Sequence, residues 1–119
     1  MKSIPEIETK LPHHSLIAYQ ATKELLIAVI NAEITDPHLR EQGIRAAQNA
    51  CLNCCEGAGQ VDAGKKRNAF AIARGEAVEA AGCVEIAVTS DKARPGSDEE
   101  VNRAARWAVA LLTPLSRKR

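Results

Sequence analysis

From Lys65 to Val88 the chain runs KKRNAFAIARGEAVEAAGCVEIAV, and this stretch decides the fold class. Its apolar residues recur at helical intervals, which places them on one face of an α-helix. They are Ala69, Phe70, Ala73, Ala77, Ala80, Ala81, Val84 and Val88. No proline interrupts the pattern, so we predict one helix here, the longest in the chain.

Two shorter helices are predicted before this stretch. The first begins near His14 or Ser15 and ends before Thr35. Asp36 is a natural N-cap for the second helix, and Pro37 occupies the first helical position, which proline favours. The apolar residues of the second helix form two adjacent stripes, which predicts burial on more than one side. They are Leu39, Ala46, Ala47, Ala50, Cys51, Cys54, Cys55 and Ala58.

Helix-terminating residues on both sides separate the longest helix from its neighbours. The Gly-Ala-Gly sequence at residues 57–59 ends the second helix, and the polar residues 60–64 form a link. Pro95 interrupts the chain after the third helix, and Ser97 with Glu100 has the spacing of a capping box that starts a fourth helix. The apolar positions of the fourth helix are Val101, Ala104, Ala105, Ala108, Leu111, Leu112 and Leu115.

The composition agrees with a helical fold. The chain has 119 residues, enough for one hydrophobic core. It contains 21 alanines, which favour helix over strand, while Phe, Tyr and Trp occur once each. Because four helices joined by short loops alternate in direction, we predict an all-α, antiparallel up-down-up-down four-helix bundle over residues 13–119. We expect residues 1–12 to be a flexible N-terminal segment.

The charge and hydropathy of the chain limit its function and location. The formal net charge is +1, so no overall attraction to nucleic acid or to an anionic membrane is expected. Residues 1–10 lack the apolar run of a secretory signal, and Lys23 and Glu24 interrupt the best candidate for a membrane span. We therefore expect a cytoplasmic protein whose cysteines stay reduced.

Cysteines form the most conspicuous cluster of reactive side chains. Cys51, Cys54 and Cys55 share one face of the second predicted helix, and Cys83 lies on the third. A metal- or small-molecule-binding site built from these four is one hypothesis. Structural zinc sites use paired ligand clusters, however, and this chain has no second Cys-x-x-Cys. The cysteines also occupy positions where the periodicity expects small apolar residues, so we favour core packing and predict no metal or cofactor.

Two other possible catalytic sites, a di-iron centre and a pair of carboxylates, have even less support in the sequence. All three histidines lie near helix starts, and none follows a glutamate by three positions, as a di-iron bundle would require. Glu76 and Glu79 share a face of the third helix, but carboxylates near arginines more often form structural pairs than catalytic ones. We therefore predict that the chain is not an enzyme and has no catalytic residue.

A run of cations begins the third helix, where the helix dipole disfavours positive charge. With the basic C-terminus, this run is a candidate contact for phosphate groups, and a solvated basic face is the alternative. The candidate nucleic-acid-binding residues are Lys65, Lys66, Arg67, Arg117, Lys118 and Arg119.

Three motifs in the second and third helices resemble those of a known family. They are Leu39-x-x-Gln42-x-x-Arg45-Ala46, Asn53-x-x-Glu56-Gly57 and Phe70-x-Ile72-Ala73-x-Gly75-x-x-x-Glu79. Their order and spacing are similar to those of four-helix-bundle proteins encoded in intervening sequences of bacterial 23S ribosomal RNA genes. Related bundles accompany diversity-generating retroelements.

The resemblance implies partners rather than a reaction. It implies a homo-oligomer, with a ring of five copies favoured, that binds RNA, DNA or a reverse transcriptase. It also implies a set of motif residues that serve either binding or folding: Gln42, Arg45, Asn53, Glu56, Gly57, Gly75 and Glu79.

We expect specific contacts from some of these motif residues. Asn53 and Glu56 are positioned to bond the backbone and Arg45, and so to fix the register of the helices. Gly75 is expected to let the third helix pack closely against a neighbour. The second apolar stripe of helix two is expected to face another subunit.

Overall fold

The helix boundaries follow from capping residues and helix-terminating residues. The computed structural model describes residues 3–118, and all the regular structure within them is helical. A single-turn 3-10 helix is followed by four α-helices, and the predicted all-α fold class is confirmed. The elements are the 3-10 helix Pro12–Ser15, α1 (Ile17–Asn31), α2 (Pro37–Gly59), α3 (Ala63–Thr89) and α4 (Ser97–Leu115).

The four helices form a closed antiparallel bundle. Each helix packs against the next in sequence, and α4 also packs against α1. Gly43 faces Cys83 and Gly57 faces Phe70, so α2 and α3 run in opposite directions. At one end, the loops before α2 and before α4 hold each other, because the Thr35 amide donates to the Lys92 carbonyl at 2.8 Å. The bundle therefore runs up-down-up-down, as predicted.

Alanine fills most of the core. A few larger side chains supply the bulk, and they come from α1, α3 and α4: Leu25, Val29, Phe70, Val84, Val101 and Leu112. Many of the alanines between them have no exposed surface, among them Ala21, Ala47, Ala50, Ala73, Ala77, Ala80 and Ala108. Small core residues let the helix axes approach closely, and a buried alanine loses almost no side-chain conformational entropy on folding.

Both apolar stripes of α2 are used within a single chain. Cys54 is fully buried with its Sγ 3.8 Å from the hydroxyl oxygen of Thr22 on α1. Gly57 is buried against Phe70 on α3. Because α2 lies between α1 and α3, the second stripe does not need another subunit to cover it.

Aspartate caps begin two of the helices. Asp36 accepts hydrogen bonds from the amides of His38 and Leu39 at 2.9 and 3.0 Å, so the predicted cap of α2 is confirmed. Asp62 accepts from the Lys65 amide at 2.8 Å and starts α3 at residue 63. The predicted link of residues 60–64 is therefore too long.

The first helix begins later than predicted. Its N-cap, Leu16, has extended backbone dihedrals (φ −87°, ψ 116°), which separate the 3-10 turn at Pro12–Ser15 from α1. The helix also ends earlier, at Asn31, although Ala32 and Ile34 beyond it remain buried. The apolar periodicity predicted a helix end that is too late, because the connecting loop continues to bury apolar side chains.

The predicted capping box of the fourth helix is wrong. Gly96, in the left-handed region at φ +78°, is the N-cap, and Ser97 is already the first helical residue. The hydroxyl of Ser97 is buried and has no hydrogen-bond partner among the described residues. Glu100 approaches Arg94 at 3.7 Å instead of the start of its own helix.

The predicted end of α2 at residues 57–59 is confirmed, because the helix ends at Gly59, but Gly57 itself is not the terminating residue. It lies inside α2, and the helix continues to Gly59 without a left-handed residue. A Cβ added to Gly57 would lie 2.7–2.9 Å from three carbon atoms of the Phe70 ring. Position 57 requires glycine because the ring of Phe70, the largest side chain in the α2–α3 contact, occupies the space that any side chain at this position would need.

We predict that Ser97→Ala leaves the free energy of unfolding unchanged or raises it by up to about 1 kcal/mol, since it removes an unpaired buried hydroxyl. A capping serine would instead lose on the order of 1 kcal/mol. Urea unfolding followed by circular dichroism distinguishes the two, and a clear destabilisation would contradict the structure.

We predict that Gly57→Ala lowers the free energy of unfolding by about 1–3 kcal/mol, because the new methyl group displaces the Phe70 ring. Gly59→Ala is the matched control, since a Cβ there meets nothing within 4 Å. The control should be neutral or slightly stabilising through helix propensity. Equal effects of the two substitutions on thermal or urea unfolding would show that the Phe70 contact does not limit position 57.

Candidate nucleic-acid interface

The start of α3 and the end of α4 meet at one end of the bundle. Lys66 and Arg67 line a cavity of about 330 Å³ together with Arg117 and Lys118, and Lys65 is exposed beside them. We call these five residues the basic end. The structure thus brings together predicted residues that are far apart in sequence, while the sixth, Arg119, lies outside the described residues.

One of these cations has a structural role. The Nζ atom of Lys66 donates to the carbonyl oxygens of Gly57 and Ala58 at 2.8 and 3.2 Å. These carbonyls belong to the last turn of α2, so the lysine binds the negative end of that helix. The same Nζ lies 5.9 Å from the centre of the Phe70 ring. Lys66 is therefore occupied within the chain and is a weaker candidate for phosphate.

The structure also explains why cations are tolerated at the start of α3. The unfavourable dipole of α3 is offset by the carboxylate of Asp62, which caps the helix. In addition, α2 and α4 both end at this end of the bundle, and their C-terminal dipoles attract positive charge. The cations at the start of α3 are therefore not unfavourably placed once the dipoles of α2 and α4 are included.

No cation of the basic end forms an ion pair within residues 3–118, although the Asp62 carboxylate that caps α3 lies at the same end. The ion pairs among the described residues are Arg45 with Glu41 at 2.7 Å and Arg94 with Glu100 at 3.7 Å, and neither lies at the basic end. The pocket lining contains no carboxylate. Positive charge at the basic end is thus available to an external anion.

Negative charge gathers at the opposite end, where α2 and α4 begin. The first turn of α4 alone has three carboxylates. We call the following six carboxylates the acidic end: Glu33, Asp36, Asp91, Asp98, Glu99 and Glu100. Three cations at this end, Arg40, Lys92 and Arg94, offset part of their charge. The near-zero net charge of the chain therefore conceals two ends of opposite sign.

Three of the family-motif residues lie together in a second groove. Gln42, Arg45 and Glu79 line an open groove of about 430 Å³ between α2 and α3. The rest of its lining is polar or small: His38, Glu41, Ala46, Asn49 and Glu76. The four other motif residues, Asn53, Glu56, Gly57 and Gly75, are not part of it.

The predicted contact between Arg45 and Glu56 is wrong. The guanidinium of Arg45 bonds Glu41, one turn earlier on the same helix, and not Glu56. Both side chains of this pair are about two-thirds exposed, so the pair adds little to stability. Asn53 does bond the backbone, as expected, because its Nδ2 donates to the Asn49 carbonyl at 2.9 Å.

Gly75 does not create a close contact within the chain. It is exposed, and a Cβ added there would meet no described atom within 4 Å. Close packing at Gly75 against a neighbour therefore does not occur within one copy and stays a prediction for contacts between copies.

The cysteines do not form a four-membered site. Cys83 packs beside Gly43, which is eleven residues from Cys54 and thus about 16 Å away along α2. Cys51, Cys54 and Cys83 are buried, and Cys55 is half-buried. In the described part of the chain, no group of three or more His, Cys, Asp or Glu side chains is arranged to hold a metal ion.

Burial keeps the thiols protonated. It raises the pKa of Cys54 to about 11, and the nearby Thr22 hydroxyl only partly opposes this effect. Burial also raises the pKa values of Cys51, Cys55 and Cys83. Since metal ligation and nucleophilic attack require the thiolate, these surroundings favour packing over chemistry.

A groove between α1 and α4 was missed by the sequence analysis. It has a volume of about 480 Å³ and contains Trp107, whose side chain is about 44% exposed. Its other lining residues are Gln20, Glu24, Ala28, Glu100, Arg103 and Ala104. The only signal in the sequence was a lone tryptophan next to Arg106 on a helix whose core positions are alanine and leucine.

Comparisons with known proteins leave the motif resemblance as an expectation. No family model matches the chain, and no curated protein is significantly similar to it. Among the described helices, none combines the length and the apolar character needed to cross a membrane.

We predict that stability falls with rising pH because of Cys54. The folded thiol titrates at about 11 and the unfolded one near 9.0, so the folded state holds its proton more tightly. This contribution is complete below pH 9 and is lost toward pH 11, by on the order of 2–3 kcal/mol. In urea unfolding between about pH 8.5 and 10.5, Cys54→Ala should lose less stability than the unaltered chain. An identical pH dependence of the two proteins would contradict this assignment.

Proposed function

We propose that this chain is a non-enzymatic, homo-oligomeric four-helix-bundle scaffold that binds RNA, alone or within a nucleoprotein complex, through its basic end. The observation that carries the proposal is the convergence of Lys65, Arg67, Arg117 and Lys118 at one end of the bundle without a carboxylate partner. A cytoplasmic location is part of the proposal.

Local charge supports the choice of a polyanion as partner. Phosphate contacts supply most of the sequence-independent affinity for nucleic acid, and each contact needs one accessible cation. Four such cations on one bundle are few, so strong binding requires several copies. Self-association would supply the basic ends of several copies.

The resemblance to the 23S intervening-sequence proteins agrees with this proposal. It favours a homo-oligomer and a nucleoprotein partner, including a reverse transcriptase, although fold-level similarity alone is a weak guide to function. The rival hypothesis, a metal or small-molecule site built from the four cysteines, has less support, because Cys83 is remote and the thiols are kept protonated by burial.

We predict that neutralising the basic end weakens RNA binding and its salt dependence. The test variant carries Arg67→Gln, Arg117→Gln and Lys118→Gln, and leaves Lys66 in place because it stabilises α2. Binding of a fluorescent RNA hairpin is measured by anisotropy over a range of salt concentrations. Three lost phosphate contacts should reduce the magnitude of the negative slope of log K against log salt by roughly 2–3 for each copy that contacts the RNA.

A second triple variant controls for net charge. It carries Arg40→Gln, Lys92→Gln and Arg103→Gln, which remove three exposed cations from other parts of the bundle. We expect this control to bind RNA nearly as well as the unaltered chain. Equal weakening by both variants would contradict the basic end as the binding site, and absence of salt-dependent binding by the unaltered chain would contradict the RNA-binding proposal itself.

A further inference from the structure

The outer face of α3 is apolar although it faces solvent. Ile72, Val78 and Ile86 are 44%, 52% and 56% exposed. Between them lie Gly75 and Gly82, where an added Cβ would meet nothing within 4 Å. The outward side of a bundle helix is normally polar, so this helix is apolar both toward the core and away from it. We call these five residues the α3 face.

A groove beside the α3 face extends the apolar surface toward α4. It has a volume of about 520 Å³, and Val78 belongs to both. Most of its remaining lining is small or apolar, namely Ala81, Ala105, Val109 and Ala110, with Glu85, Asn102 and Arg106 at its margins. The surface is therefore wide enough for side chains of an incoming helix and flat enough for its backbone to come close.

The spacing along the α3 face is that of a helix-pairing seam. Ile72, Gly75, Glu79, Gly82 and Ile86 follow one another at intervals of three, four, three and four residues. The pattern is nearly symmetric about Glu79, with an isoleucine seven residues away on each side and a glycine three or four residues away. A second copy turned by 180° about an axis at Glu79 therefore places isoleucine against isoleucine and glycine near glycine.

The charges along α3 select the antiparallel orientation of that second copy. Arg74 lies five residues before Glu79 and Glu85 lies six residues after it, so an antiparallel pair sets them nearly level. Both lie on the α4 side, since Arg74 Nε donates to Thr113 Oγ1 and Asn102 donates to Glu85. A parallel twofold pair would instead set each of these charges level with its own copy, so neither would meet an opposite charge.

We propose that the α3 face packs antiparallel against the same face of a second copy of the chain, around a twofold axis near Glu79. The inference rests on the self-association contained in the proposed function, and it names the surface and the symmetry. The glycines let the two backbones approach, while Ile72, Val78 and Ile86 become buried. The two Glu79 carboxylates meet near the axis and are the unfavourable element of the contact.

The test is multi-angle light scattering with sedimentation equilibrium on the full chain. The chain mass is 12.8 kDa, and the unaltered protein should have twice that mass or an even multiple of it. Gly75→Gln combined with Gly82→Gln should raise the dissociation constant of the pair by about 100-fold or more, because two side chains per copy block the close approach. Glutamine favours helix more than glycine does, so circular dichroism should show an intact fold.

Two further variants complete the design. Gly59→Gln changes another glycine with open space around it, away from the α3 face, and should associate like the unaltered chain. Glu79→Gln removes the repulsion on the axis and should tighten the pair several-fold.

The outcomes separate this inference from the proposed function. An oligomer that the double glycine variant does not weaken would overturn the α3 face while leaving self-association intact. A mass of five copies would also overturn it, because a twofold contact pairs copies and cannot by itself close an odd-numbered ring. A monomeric unaltered chain would overturn the homo-oligomer itself, whatever the result of the RNA measurements.

Discussion

The close contact of α2 with α3 is the constraint on which the rest of the structure depends. Two glycines on α2 set it, since Gly43 lies against Cys83 and Gly57 lies under the ring of Phe70. These two contacts fix how far α3 slides along α2. They also bring Lys66 within reach of the last carbonyls of α2, which ties the start of one helix to the end of the other.

The number and type of the helices could be predicted from the sequence, because the core pattern repeats strongly and local caps such as Asp36 act within a few residues. The failures involve tertiary contacts. The end of α2 at residues 57–59 was predicted correctly, but the reason for a glycine at position 57 is a ring thirteen residues later. Ser97 and Glu100 have the spacing of a capping box, but Gly96 turns the chain one residue earlier. Local spacing does not determine which of two caps forms.

The candidate interface could be predicted only as a set of residues. Sequence alone identified two separate basic runs, and only the antiparallel order of the helices places them in one cavity. It gave no means of seeing that Lys66 is occupied by carbonyl groups. The α3 face was missed because the core residues of α3 account for its helical period, and that period gives no role to the apolar residues between them, such as Val78 and Ile86.

The separation of the basic and acidic ends has a consequence for how the molecule approaches other molecules. A single copy of the bundle, with positive charge at one end and negative charge at the other, has a permanent electric dipole along its long axis, whereas the dipoles of an antiparallel pair oppose each other. In the field of a polyanion the single copy experiences a torque and rotates so that its basic end leads. Orientation would thus precede contact, although the net charge of +1 provides almost no long-range attraction.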